Sequence, residues 1–183
     1  MSTQTMNPQV KKLERTFSAL DRDKNGYLEY SDFQAIVDGI GREFGHGKDS
    51  RQLKALATAY RKLWDDLVRH ADTDNDNRIS KQEYIESSVR TVDDTARFDS
   101  IVEPGNAVFD VIDTDGDGQI SEEEFARLQQ VWGVTAKNAI ETFRANDADG
   151  DGMLSRQELI KGIREYFASP NYDHPGNWFF GRP

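Results

Sequence analysis

Asp113-Thr114-Asp115-Gly116-Asp117-Gly118-Gln119-Ile120-Ser121-Glu122-Glu123-Glu124 is the stretch that decides how this chain of 183 residues folds. Carboxylates stand at its first, third and fifth positions, a glycine at the sixth, an aliphatic residue at the eighth and a glutamate at the twelfth. Calcium is a hard cation that takes six to eight oxygens. A twelve-residue loop can deliver them from positions 1, 3, 5, 7, 9 and 12 around a sharp turn at position 6. The same order of residues returns in segments beginning at Asp21, Asp72 and Asp147. The chain therefore reads as a fourfold internal repeat of one calcium-loop pattern.

Graded against that pattern, the third and fourth loops are complete. Asp113, Asp115, Asp117, the carbonyl of Gln119 and Glu124 supply the third, with Ser121 at the water-bridged position. Asp147, Asp149, Asp151, the carbonyl of Met153 and Glu158 supply the fourth, with Ser155 in the equivalent place. The first loop offers Asp21, Asp23, Asn25, the carbonyl of Tyr27 and Glu29, but closes on Asp32, one methylene shorter than glutamate. Shorter reach makes bidentate closure harder and favours octahedral coordination, so Mg²⁺ is expected to compete with Ca²⁺ there. The second loop has Asp72, Asp74, Asp76, the carbonyl of Arg78 and Glu83, with Asn77 where a glycine is expected. Asparagine tolerates positive φ better than other non-glycine residues, which leaves the site functional at a strain of roughly 1 kcal/mol.

Outside the loops the apolar residues fall at helical spacing. Val10, Leu13, Phe17 and Leu20 lead into the first loop, and Phe33, Ile36, Val37 and Ile40 lead out of it. Leu53, Leu56, Tyr60, Leu63, Trp64 and Leu67 precede the second loop, and Phe125, Leu128, Val131 and Trp132 follow the third. Asn7 and Pro8 predict a helix start, and Gly133 followed by Thr135 a stop and restart. The eighth residues, Leu28, Ile79, Ile120 and Leu154, suit short antiparallel pairing between neighbouring loops. The prediction is an all-α fold of four helix-loop-helix units in two paired lobes, packed into one globule. Residues 1–90 form the first pair, 91–104 the interlobe connection, 105–168 the second pair and 169–183 an added tail. The extra length of the first pair falls at Gly39 to Ser50, where Gly41, Gly45 and Gly47 predict an irregular insert, and Pro104 is expected to break the connection.

Composition narrows the function. A formal net charge of -10 repels nucleic acid and anionic lipid, and no apolar run is long enough to span a bilayer. The absence of cysteine removes disulfides, thiolate metal sites and cysteine nucleophiles, and fits a reducing compartment, so the chain reads as a cytoplasmic monomer. No catalytic constellation stands out, and the chain is not expected to be an enzyme. Three methionines, Met1, Met6 and Met153, are too few for the adaptable groove with which sensors grip target helices. A Ca²⁺ buffer or signal modulator is the leading expectation, with a sensor for a protein target as the alternative.

On its four loops, long first pair, short second pair and added tail, the chain resembles the EF-hand proteins of the sarcoplasmic calcium-binding protein and calerythrin family. That resemblance implies two lobes packed face to face and a role in buffering or modulating calcium. The same branch includes coelenterazine-dependent photoproteins and luciferin-binding proteins, which enclose an aromatic ligand among His, Trp and Tyr side chains. Tyr60, Trp64, Trp132, His174 and Trp178 are the residues that keep this rival open, although core packing at helical spacing is the favoured account of Trp64 and Trp132. In the tail, Tyr172, Trp178, Phe179 and Phe180 are expected to bury themselves against the lobes as an internal plug, at up to ~1.5 to 3 kcal/mol each.

Overall fold

A computed structural model describes residues 8–91, 95–168 and 179–180. In chain order its elements are α1 (Pro8–Leu20), β1 (Tyr27–Leu28), α2 (Tyr30–Glu43), α3 (Arg51–Ala71), β2 (Ile79–Ser80), α4 (Lys81–Thr91), α5 (Thr95–Val102), α6 (Pro104–Ile112), β3 (Gln119–Ser121), α7 (Glu122–Val131), α8 (Ala136–Asn146), β4 (Met153–Ser155) and α9 (Arg156–Ala168). The fold is all-α apart from two short ladders. β1 runs antiparallel to β2 with Leu28 opposite Ile79, and β3 to β4 with Ile120 opposite Leu154, as the eighth-position aliphatics predict. All four of those side chains are fully buried, so each ladder ties a pair of loops together and roofs its lobe with apolar surface.

Local chemistry sets the helix ends. Ser50 accepts the amide of Leu53 to start α3, and Thr135 accepts that of Asn138 to start α8. Gly133, at φ +72°, makes the stop before α8 that the sequence signals. One expectation needs correction. The insert is irregular only after Glu43, because α2 runs straight through Gly39 and Gly41. A Cβ on Gly41 would lie 2.8 Å from Leu53 Cδ2, so this glycine serves close packing of α3 rather than a break. Pro104 breaks the connection where expected: α5 ends at Val102 and Pro104 opens α6, where its missing N–H is not needed.

The core is continuous through both lobes and is built from the helical stripes, with Phe17, Phe33, Ile36, Ile40, Leu56, Phe109, Phe125, Phe143 and Tyr166 among its buried members. Trp64 belongs to it, its ring 5.4 Å from that of Phe33. Polar contacts cross between lobes. Thr16 Oγ1 lies 3.0 Å from the Tyr166 hydroxyl, and the Lys12 ammonium donates to the Tyr166 carbonyl. Burial of that ammonium lowers the Lys12 pKa to about 8. His46 Nε2 is 2.9 Å from the Val111 carbonyl, and Arg127 Nε donates to Glu43 Oε1 at 3.2 Å.

Of the tail, Tyr172, His174 and Trp178 lie outside the described residues. Phe179 is buried and sits edge-on to Phe125 and Tyr166, at ring separations of 5.8 and 6.4 Å. Phe180 sits edge-on to Trp132 at 5.1 Å, and its carbonyl accepts Arg15 Nε at 2.8 Å. Beside these rings lies a cavity of about 140 Å³ between the lobes, lined by Tyr60, Tyr84, Trp132 and Tyr166 as well. Gly162 meets this region at very close range: a Cβ there would fall 2.0 Å from Asn146 Oδ1 and 3.0 Å from Phe179 Cε2. Gly162→Ala is expected to destabilise the fold by about 1–3 kcal/mol through overpacking, measured as a shift of the urea midpoint.

Candidate metal centres

Each loop begins where an incoming helix ends. The amides of Asp21, Asp72, Asp113 and Asp147 donate to the carbonyls of Phe17, Val68, Phe109 and Phe143, the last helical bonds before the chain turns away. The first aspartate therefore sits beside a helix C-terminus, whose partial negative charge favours a cation. Beyond it, the loops organise themselves through their own amides. The oxygen of the first aspartate accepts the amide of the sixth residue: Gly26 to Asp21 at 3.1 Å, Asn77 to Asp72 at 3.0 Å, Gly118 to Asp113 at 3.1 Å and Gly152 to Asp147 at 3.1 Å. Asp23, Asp74, Asp115 and Asp149 accept the amide two residues on in the same way, at 3.0 to 3.2 Å. So do Asn25, Asp76, Asp117 and Asp151, for the amides of Tyr27, Arg78, Gln119 and Met153. The carboxylates are steered inward by the backbone that carries them.

The result is four tight sets of oxygens. Carboxylate atoms of Asp21, Asp23 and Asp32 lie within 4.8 Å of one another, as do those of Asp72, Asp74 and Asp76, of Asp113, Asp115 and Glu124, and of Asp147, Asp149 and Glu158. An ion bound at about 2.3–2.6 Å to each oxygen places donors on opposite sides up to roughly 5 Å apart, so the cages have the size calcium needs. Asp21 adds a further sign, since its Oδ1 is buried and has no hydrogen-bond partner. A buried anionic oxygen without a donor is costly unless a cation answers it. The residues present fit the metal.

The closing carboxylates are held by both oxygens. Glu124 Oε1 accepts the amide and hydroxyl of Thr114 at 2.8 and 2.6 Å, while Oε2 accepts those of Ser121 at 3.0 and 2.9 Å. Ser121 in return accepts the Glu124 amide, so one residue both caps α7 and closes the loop. Glu158 is held the same way by Ser155 and by the amide of Ala148, and Glu83 by Thr73 and Ser80. Burial opposes ionisation of these groups, but the hydrogen bonds prevail: Glu124 and Glu158 stay below their ordinary range, and Glu83 falls to about 2. All three are charged and ready for a cation at neutral pH.

The first two loops differ. Asp32 is held by backbone amides without a hydroxyl, those of Arg22 and Glu29 at 2.8 and 2.9 Å with Asp23 beside them, and its burial lifts its pKa above the usual value despite them. Asn25 turns Nδ2 toward Asp23 Oδ2 and Glu29 Oε2, at 3.0 and 3.2 Å. In the second loop the Arg78 guanidinium reaches Asp76 Oδ2 at 3.0 Å. Tyr27, Gln119 and Met153, whose carbonyls the sequence nominates, each begin a strand, and Arg78 immediately precedes one. What sequence reading overlooks is the second position of each loop, whose amide secures the closing carboxylate; threonine in two of the four loops was the available signal.

Residues 10–89 and 66–130 match the family of EF-hand domain pairs, and residues 140–163 match an EF hand. Calerythrin from Saccharopolyspora erythraea is 28% identical over 158 residues, which is 85% of this chain and 89% of that protein. A Streptomyces coelicolor calcium-binding protein, solved in a study of prokaryotic calcium-mediated regulation, is 30% identical with a TM-score of 0.78, covering 87% of this chain and 98% of its own. The sarcoplasmic calcium-binding protein of amphioxus has the same fold at 20% identity and a TM-score of 0.74, over 97% and 98%.

Asn77 adopts φ +59° where Gly26, Gly118 and Gly152 adopt +84° to +89°. Asn77→Val, β-branched and without a polar side chain to support the left-handed region, is expected to cost about 1–2 kcal/mol in calcium-free thermal unfolding. Asn77→Gly is expected to cost nothing.

Proposed function

The chain belongs to the EF-hand calcium-binding family, of the sarcoplasmic calcium-binding protein kind, and on that premise we propose that it takes up and releases Ca²⁺ as a buffer or signal modulator inside the cell. The ligands we assign are Asp21, Asp23, Asn25, Asp32 and the Tyr27 carbonyl; Asp72, Asp74, Asp76, Glu83 and the Arg78 carbonyl; Asp113, Asp115, Asp117, Glu124 and the Gln119 carbonyl; and Asp147, Asp149, Asp151, Glu158 and the Met153 carbonyl. Three carboxylates in each loop, those of Asp21, Asp23 and Asp32, of Asp72, Asp74 and Asp76, of Asp113, Asp115 and Glu124, and of Asp147, Asp149 and Glu158, have oxygens within 4.8 Å of one another, which supports the assignment.

The mechanism is electrostatic. Carboxylates held within 4.8 Å of one another repel by a few kcal/mol per pair at an effective dielectric constant of about 20. A divalent ion supplies the charge that offsets this repulsion, and by binding only the folded state it stabilises the fold. The loop amides keep the cages assembled, and the paired strands transmit the ordering of one loop to its neighbour. The observation that carries the buffer reading is the surface. Among the described residues, the only large apolar side chains that are well exposed are Tyr27 and Val89, and they form no groove for a target helix. Phe179 and Phe180 occupy the aromatic surface between the lobes.

The interlobe cavity favours one second reading, a small aromatic ligand. At about 140 Å³ it approaches the roughly 150 Å³ that admits benzene, room for one ring rather than a multi-ring luciferin, which keeps the buffer reading ahead.

A calcium titration followed by tryptophan and hydrophobic-dye fluorescence tests the reading: dye is expected to be released as calcium binds, and dye uptake would mark a sensor instead. Glu124→Gln with Glu158→Gln should remove two binding steps in calorimetry, and retention of both would contradict the assigned ligands. At the first loop we propose that Mg²⁺ competes, because Asp32 is short and held by backbone amides without a hydroxyl. Asp32→Glu is expected to shift that site toward calcium, with magnesium displacing at least several-fold less of it in competition calorimetry.

A further inference from the structure

Resting on the calcium-binding reading of the third and fourth loops, we propose that Thr114 is a positioning residue that makes the third loop bind its ion more tightly than the fourth. The two loops offer the same donor chemistry: three aspartates, a carbonyl, a serine and a closing glutamate. Their backbones coincide as well, with Gly116 and Gly150 both at φ +74° and Gly118 and Gly152 both at +84°. Ser121 and Ser155 hold their glutamates through equivalent pairs of bonds, at 3.0 and 2.9 Å against 2.9 and 2.7 Å. The contrast lies at the second position. Thr114 brings both its amide and its hydroxyl to Glu124 Oε1, at 2.8 and 2.6 Å, whereas Ala148 brings to Glu158 Oε1 only its amide, at 2.9 Å, and the hydroxyl's place is taken by the backbone amide of Asp149.

The hydroxyl bond falls on the ligand that most needs it. The closing glutamate is the longest and most rotatable of the side-chain donors, and repulsion from the aspartates drives it outward when no cation is present. A hydroxyl bond to a charged oxygen is short and strong, and here it holds one rotamer before the ion arrives. It does so without drawing the carboxylate away from the cage, since Glu124 still lies within 4.8 Å of Asp113 and Asp115 while the bond is made. Part of the ordering cost of closure is thereby met in advance, which favours the bound state. Thr73 makes the same amide and hydroxyl pair to Glu83 in the second loop, at 2.9 and 2.7 Å, while Arg22 in the first loop gives Asp32 its amide alone. The position is therefore a variable one within this single chain, and the third and fourth loops form a matched pair in which it can be exchanged.

The test is a Ca²⁺ titration of the full chain by ¹⁵N NMR in a calcium-chelating buffer. The amides of Gly118 and Gly152, each 3.1 Å from a ligand oxygen of its own loop, serve as separate reporters. In the natural chain the Gly118 resonance is expected to complete its shift at lower free calcium than that of Gly152. Thr114→Ala should weaken the Gly118 midpoint on the order of tenfold, the scale of a lost hydrogen bond to a charged group, and move Gly152 less. Thr114→Ser should restore it, and Ala148→Thr should strengthen the Gly152 midpoint while leaving the melting temperature of the calcium-free chain unchanged. Because Ala148→Thr is a gain in an exposed loop, it decides the matter even if Thr114→Ala folds poorly. Equal midpoints in the natural chain, or an Ala148→Thr variant that binds no better, would overturn the proposal while leaving calcium binding intact. Silence of both amides toward calcium would instead overturn the binding reading on which it rests.

Discussion

Crowding of like charge is the constraint from which the rest of this structure follows. Carboxylate oxygens stand within 4.8 Å of one another in four places, an arrangement that a free peptide would relieve by opening. The chain prevents this in two ways. Amides and hydroxyls inside each loop bond the oxygens of nearly every donor, both oxygens in Asp32, Asp72, Asp113, Asp147 and the closing glutamates, and so fix the orientation of each carboxylate. Helices on both sides anchor the loop ends: the incoming helices present their carbonyl termini to the site, and the closing residue is itself part of the first turn of the outgoing helix. The hydrophobic core then carries the cost of holding the charges together, and binding a cation returns it as stability.

Because β1 pairs with β2 and β3 with β4, each pair of cages shares one rigid ladder. The lobes are joined just as directly. Arg22, the neighbour of the first ligand Asp21, donates to the Val131 carbonyl at the end of α7 at 3.1 Å, and His46 reaches the Val111 carbonyl two residues before Asp113. Arg127 grips Glu43 at the end of α2. The first and third hands thus touch across the interface, and the Thr16, Lys12 and Tyr166 contacts tie α1 to α9.

Closing residues show how finely geometry grades sites that look alike in composition. Glu124 and Glu83 are held by hydroxyls as well as amides, four hydrogen bonds each, while Asp32 has backbone amides alone and a desolvated carboxyl. The gradation follows from what stands at the second and ninth positions of each loop, places where a side chain need not touch the ion to influence it.

Most of the architecture was legible residue by residue. Alternating acids with a glycine and a twelfth-position carboxylate specify a loop; the apolar stripes specify its helices; and Leu28, Ile79, Ile120 and Leu154 specify which loops pair. These are local relations, set by the covalent chain and by helical and strand periodicity, so the sequence alone determined them. Gly41 misled because its role is not local: it is small so that Leu53 can approach. The same holds for the unpartnered oxygen of Asp21 and the cavity beside Phe179. Those depend on which surfaces meet and which polar atoms lose water when they do. Only the folded chain decides that, because desolvation is a property of the assembled neighbourhood and not of any one residue.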